Sequence, residues 1–282
     1  MRKQVLSAQR RNHTSTALKT EHGFTLIEML VTILAGLAIL GALFTIEATT
    51  LHQTTRFFSK IDATQHARVG IEQLENELHS ACITDNVTPI LTGSNATALM
   101  FVSQYGTAPA LTPVEHIVSF NSSTGTVTDN TYAETGETTS SDGSPVYTFA
   151  SAPTTTRILL SNVSQTGSTP VFQYFAYQEP MNGSTPYTDS AGNPYMMLID
   201  GTNAVPGTSV IPSPQPLAVP LSTSNASNAA EVMISMSVGP SGGTNENTNL
   251  SDVDDAVSDG VVLRLTPAAN EDANGAVFLP CQ

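Results

Sequence analysis

Tryptophan is missing from this chain of 282 residues, cysteine occurs only twice, and 12% of the residues are charged. That charged share is about half the usual one, and the polar character comes instead from Ser, Thr and Asn. Two cysteines, Cys82 and Cys281, exclude a cysteine-rich zinc site or a disulfide-dense scaffold and leave room for one bridge. Positive charge is scarce: ten Lys and Arg stand against 24 Asp and Glu, for a net charge of −14. This balance argues against nucleic-acid binding by phosphate neutralisation. A glycine-rich phosphate loop, a CxxC and an HExxH are all absent, and His116 is the sole histidine past residue 79. A Ser-His-Asp arrangement would have to use that histidine with no supporting motif. The chain is therefore expected to have no enzymatic activity and no cofactor.

The few basic residues are unevenly placed. Arg2, Lys3, Arg10, Arg11 and Lys19 precede residue 23, and Arg56, Lys60 and Arg68 fall between 50 and 70. Beyond residue 90 only Arg157 and Arg264 stand against sixteen acids. The split suggests a basic segment held on the cytoplasmic side of a membrane and an acidic body sent across it.

Between these parts lies the one long apolar run, residues 24–46, with Glu28 its only charge and no proline until Pro89. As a helix, its 23 residues would extend roughly 35 Å, enough to cross a hydrocarbon core of about 30 Å. A secretory signal peptide would end in an A-x-A-like cleavage site, and none closes this stretch. A plain signal anchor accounts for the length and the basic flank but gives no reason for a carboxylate one turn into the run. An acid buried centrally in a membrane costs about 2.5–3.5 kcal/mol and points by default to function.

Gly23-Phe24-Thr25-Leu26-Ile27-Glu28 and the apolar helix after it resemble the class III leader junction of type IV prepilins and type II secretion pseudopilins. The resemblance implies that a prepilin peptidase/methylase cuts after Gly23 and methylates the new amine of Phe24, and that the helix stays with the mature chain. Glu28, fifth in that chain, would meet the terminal amine of a neighbouring subunit as helices stack. The bland reading of Glu28 is a side chain that snorkels to the interface.

From Glu47 the sequence turns amphipathic. Ala63, Ala67, Ile71, Leu74 and Leu78 recur at spacings of three and four, with Cys82 next in the series. This stripe predicts ordinary packing of the helix, continued to about Cys82, on a globular head. His52, His66 and His79 lie on it without an i, i+4 ligand partner and read as solvated.

Past residue 85 no helical period appears. Short β-like runs occur at 98–103, 115–120, 145–149, 157–160, 170–177, 195–199, 231–238 and 260–265. The clearest sets Val232, Ile234, Met236 and Val238 on one face and Glu231, Ser235 and Ser237 on the other. Asp-Gly and Asn-Gly pairs at 142, 182, 200, 259 and 274 supply turns. The stretches 121–144, 180–194 and 201–230, rich in Ser, Thr, Asn, Gly and Pro, read as loops. The fold class is α+β: one long helix packed on an antiparallel sheet.

Residues 157–163 and 170–175 and the strand pair 232–238 and 261–265 of the head, together with residues 71–78 of the helix, are similar to PilW-like minor pilins and J-type minor pseudopilins. Asp252, Asp254, Asp255 and Asp259 form a dense acidic stretch, and some pseudopilins bind calcium in the head. The spacing is not that of an EF-hand and no bidentate glutamate follows, so a solvated acidic hairpin loop is the preferred reading. Cys82 and Cys281 would tie the C-terminus to the helix if their Cα atoms lie within about 7 Å; otherwise both are free.

The expected organisation is a cleaved basic leader (1–23), a membrane and filament-core helix (24–46), an amphipathic helix (47–84) and a β-rich head (85–282). The resemblance implies a minor structural subunit of a type IV pilus, competence pseudopilus or type II secretion pseudopilus. Its partners would be the prepilin peptidase/methylase, other pilin-like subunits and an inner-membrane assembly platform. The head would lie outside the cytoplasm, first tethered to the cytoplasmic membrane and then in a surface or periplasmic filament. The rival class is an adhesin or binding module displayed at the membrane or filament tip on the strength of its loop-rich head.

Overall fold

The structure is a computed structural model that describes residues 23–81, 88, 90–105, 112–139, 145–240 and 255–263. Cys82, Cys281, Asp252 and Asp254 lie outside the described residues. The chain divides into two compact units, Met1–Gln53 and Thr54–Gln282. One helix, α1 (Leu26–His79), begins in the first and ends in the second.

The start of α1 is set by Thr25. Its hydroxyl accepts a hydrogen bond from the Glu28 amide at 3.3 Å, and its carbonyl accepts from the amides of Glu28 and Met29. These contacts satisfy donors that a helix N-terminus leaves open. Apart from Glu28, the helix is apolar on every side as far as Ile46. The hydroxyls of Thr32, Thr45, Thr49 and Thr50 turn back on the helix and donate to carbonyls three or four residues back. That internal pairing lets threonine sit in an apolar helix without a bare donor.

In the second unit the helix becomes one-sided. Ala63, Ala67, Gly70, Ile71, Leu74 and Leu78 are buried, which is the stripe read from the sequence with Gly70 added. Gly70 permits a close crossing, because a Cβ built there would collide with the side chain of Leu160. Helix ends at His79 rather than at Cys82. The Ser80 hydroxyl donates to the Glu77 carbonyl, the Ala81 amide bonds to Leu78 O, and Ala81 then bridges to Ser103 as extended chain.

Among the described residues the head contains two larger antiparallel sheets. The first runs β1 (Ala98–Tyr105), β2 (Thr112–Asn121), β3 (Thr126–Thr139), β4 (Pro145–Phe149), with β5 (Thr155–Ser161) also paired to β3. The second places β12 (Glu231–Val238) beside β13 (Asp255–Val262), β6 (Val163–Ser164) and β7 (Phe172–Phe175). Two small ribbons join β8 (Tyr177–Gln178) to β11 (Met197–Leu198) and β9 (Met181–Asn182) to β10 (Thr185–Pro186). A single core runs from the helix stripe through Leu99, Phe101, Val118, Val127 and Leu160 of the first sheet to Val232, Ile234, Met236 and Val238 of the second. Tyr174 is wholly buried at its centre, and its hydroxyl donates to Asn95 O and Ala98 O at 3.1 and 3.0 Å. The fold is α+β, as the sequence implies.

Several local expectations need correction. The stretch 121–144 is not all loop, since the whole of β3 lies in it. β3 shows little apolar alternation because its buried residues include Asp129 alongside Val127. Helix does recur past residue 85, as α2 (Thr223–Asn228), capped by the Ser222 hydroxyl, which accepts from the Asn225 amide. The run 170–177 breaks at Ala176 into β7 and β8, and only Met197–Leu198 of the run 195–199 forms strand. The acidic stretch is not a hairpin loop over its described part: Asp255 and Asp259 belong to β13, opposite Val238 and Ile234. β13 ends at Val262, short of the strand expected to reach 265.

Candidate functional site

Two places concentrate unusual chemistry. The first is the start of α1. Gly23 has open space around it, and Phe24 is 74% exposed in extended chain just before the capped first turn. Glu28 occupies that turn and is exposed. Leu26, Ile27, Met29, Leu30, Ile33 and Leu34 around it are more than half exposed. α1 is long and apolar enough to cross a membrane, and none of its apolar window is buried. A helix apolar all round, with no cover of its own, calls for lipid or other helices around it.

The second place is a polar cluster inside the head. β1, β2, β3 and β5 carry Ser103, His116, Asp129 and Arg157 in a diagonal row on one face of the first sheet, and α1 brings Glu77 over it. Register explains the row: Asp129 is opposite Arg157, while His116 is two residues from Asp129's partner Val118 and opposite Phe101, two residues from Ser103. Side chains so placed are within reach of one another. Ser103, His116 and Asp129 are 2% exposed or less. His116 Nδ1 lies 3.1 and 3.2 Å from the two Asp129 oxygens, and Nε2 lies 2.9 Å from Ser103 Oγ. A carboxylate only accepts, so Nδ1 donates to Asp129, and in neutral imidazole Nε2 accepts from the Ser103 hydroxyl. Arg157 Nη2 donates to Asp129 Oδ2 at 3.2 Å and to Glu77 Oε1 at 3.1 Å. The imidazole stacks on Phe101 with ring centres 4.8 Å apart.

This is the hydrogen-bond order of a hydrolytic Ser-His-Asp triad; sequence reading weighed such an arrangement at His116, set it aside for want of a motif, and did not identify Ser103 and Asp129 as its neighbours. One signal was available: His116 falls in the same alternation phase as Val118 and Phe120 of β2, which marks it as buried. Ser103 is 0% exposed, and Glu77 and Arg157 tie the Asp129 end to the helix. The arrangement satisfies buried polar groups and clasps α1 to the sheet through an ion pair.

The other sequence candidates are scattered. Among the described residues no group of three or more His, Cys, Asp or Glu is placed to hold a metal. Asp259 instead faces α1, across a cleft of about 390 Å³ lined by Arg68, Glu72 and Glu75 among others. Burial, a hydrogen bond to Asp259 and the charges of Asp259 and Glu72 push the Glu75 carboxyl up from its ordinary range. His52 and His79 are exposed as expected, but His66 is half-buried with Nδ1 unpartnered.

Fold and site together define an α+β protein that carries one membrane-competent helix ahead of a two-sheet head. Comparison with protein-family models, with curated proteins and with solved structures finds no match to this chain.

Proposed function

We propose that the chain is a pilin-like minor structural subunit, built into a type IV pilus, competence pseudopilus or type II secretion pseudopilus after cleavage between Gly23 and Phe24. One observation carries the reading. A Gly-Phe junction, followed by a glutamate in the first helical turn, opens directly into a helix whose apolar surface has no cover of its own. A simple anchor needs the greasy surface but neither the junction nor the acid.

In this reading the helix waits in the cytoplasmic membrane with the head outside the cytoplasm, and an ATPase-driven platform draws it into a bundle of sister helices. Cleavage leaves a positive amine on Phe24 that Glu28 of a neighbour neutralises. At about 4 Å and an effective dielectric of about 20, such a pair attracts by about 4 kcal/mol before desolvation is counted against it. The Thr25 cap leaves the Glu28 carboxylate free of the helix backbone, since it is the Glu28 amide that the cap engages.

The test is a Glu28→Ala variant expressed in its own cell, with a Glu28→Asp variant as a charge-preserving control. The expected result is normal accumulation of Glu28→Ala in the membrane fraction and its loss from sheared filaments, with partial recovery in Glu28→Asp. Normal filament incorporation of Glu28→Ala would overturn the assembly role.

A further inference from the structure

The chain carries two Asn-Gly pairs, and the one at 182–183 lies among the described residues, at the tip of the β9–β10 ribbon. Asn182 pairs with Thr185 and Met181 with Pro186, and below them the Tyr187 amide donates to Pro180 O at 2.9 Å. Residues 181–185 are all exposed. Gly183 turns the chain with a φ of +64°, a conformation that glycine adopts without strain. No atom beyond its chain neighbours lies within 4 Å of where a Cβ would stand. The Gly183 amide thus carries no side chain of its own and stands in open space.

Every other described asparagine precedes proline, which has no N–H, or a residue whose side chain crowds the following amide. Several are also engaged through their own amide groups. Asn95 Oδ1 accepts from the Thr97 and Ala98 amides, Asn121 Oδ1 accepts from the Ser123 amide, and Asn162 Nδ2 donates to Pro240 O. Asn182 sits instead on a ribbon of two short strands whose hydrogen bonds face solvent. Such a hairpin is marginally stable and opens at little cost. Opening frees the backbone to turn the Gly183 nitrogen onto the Asn182 side chain.

We infer that Asn182 is a self-modification site, at which the folded chain converts its own side-chain amide to a carboxylate with water as the co-reactant. The Gly183 nitrogen attacks Asn182 Cγ. A bond forms between that nitrogen and Cγ, the Cγ–Nδ2 bond breaks, and Nδ2 leaves as ammonia with the proton that the Gly183 N–H gives up. The cyclic imide so formed takes up one water. Cleavage of its bond from Gly183 N to Cγ yields aspartate, and cleavage of its bond to the main-chain carbonyl yields isoaspartate, in which the chain runs through the side chain. Nothing is oxidised or reduced. Because the attacking nitrogen must shed its proton, the reaction quickens as pH rises. Either product adds a negative charge to a chain already at −14. Isoaspartate also lengthens the main chain at 182, so the Asn182–Thr185 pair loses its register and the ribbon loosens.

The test is ageing of the full chain in detergent micelles at 37 °C from pH 6 to 8, followed by peptide mapping with mass spectrometry. The peptide holding residue 182 is expected to gain about one dalton as the amide becomes an acid, and to separate into isoaspartyl and aspartyl forms. Conversion should be several-fold faster at pH 8 than at pH 6, and several-fold faster than at Asn95, Asn121 or Asn162. Asn182→Gln, which would have to close a larger ring, is expected to keep its amide over the same period. Amide exchange across 181–187 should be faster in the aged chain than in the fresh one. An Asn182 that survives in the folded chain but converts in urea would overturn the inference, because the ribbon would then protect the site. Aspartate formed without isoaspartate, or equal conversion of Asn182→Gln, would overturn it too, by removing the cyclic imide.

Discussion

Gly70→Ala sets two effects of opposite sign against each other at a known place. In an exposed helix the change would stabilise by about 1 kcal/mol, because glycine surrenders more backbone entropy than alanine. Here the new methyl would strike Cγ and both Cδ atoms of Leu160, which is 2% exposed and packed in the core. Leu160 has no solvent to retreat into, and inserting a methyl into a full core costs about 1–3 kcal/mol. The overpacking term wins, and the net change is a loss of about 1 kcal/mol. Leu160→Ala removes all three colliding atoms, at a cost of about 2–5 kcal/mol. In that background Gly70→Ala should reverse sign and stabilise by about 1 kcal/mol, a coupling of about 2 kcal/mol. Urea unfolding of the full chain in micelles, followed by near-ultraviolet circular dichroism of the tyrosines, measures all four corners of the cycle. Gly70→Ala stabilising the wild type, or having the same effect in both backgrounds, would refute the close crossing of α1 over β5.

The polar cluster gives further expectations. Asp129→Ala strips the acceptor from His116 and one acceptor from Arg157 and should cost about 3 kcal/mol in the same assay. Ser103→Ala leaves the imidazole Nε2 without its donor and should cost about 1 kcal/mol. Covalent labelling of Ser103 by an organophosphonate probe is expected to fail in the folded chain, because the hydroxyl is sealed; labelling would restore a catalytic reading. Tyr174→Phe leaves the carbonyls of Asn95 and Ala98 without the buried phenol's bond and should lower stability by about 1 kcal/mol.

Much of this architecture was legible because it rests on period. The stripe Ala63, Ala67, Ile71, Leu74 and Leu78 is buried in full, and the strand 231–238 has the bounds its alternation implies. β3 was hidden because its pairing with β2, β4 and β5 is made by backbone and by threonines, with little apolar signal to mark the phase. α2 was hidden because six residues of Ser, Asn, Thr and Ala carry no period, and only the Ser222 cap announces it. The Ser103, His116, Asp129, Arg157 and Glu77 cluster depends on the register of four strands and one helix, so sequence spacing alone could not assemble it. Glu231 was assigned correctly to the face opposite Val232 and Ile234. That Glu231 is nonetheless buried, at 3% exposure, has no local signature in the sequence.

The processing reading meets its most direct trial in the N-terminus of the native protein, isolated from its own cell and determined by Edman degradation and intact mass. A chain beginning at Phe24 with a methylated amine is the predicted product. A chain beginning at Met1, or at any residue other than Phe24, would contradict it.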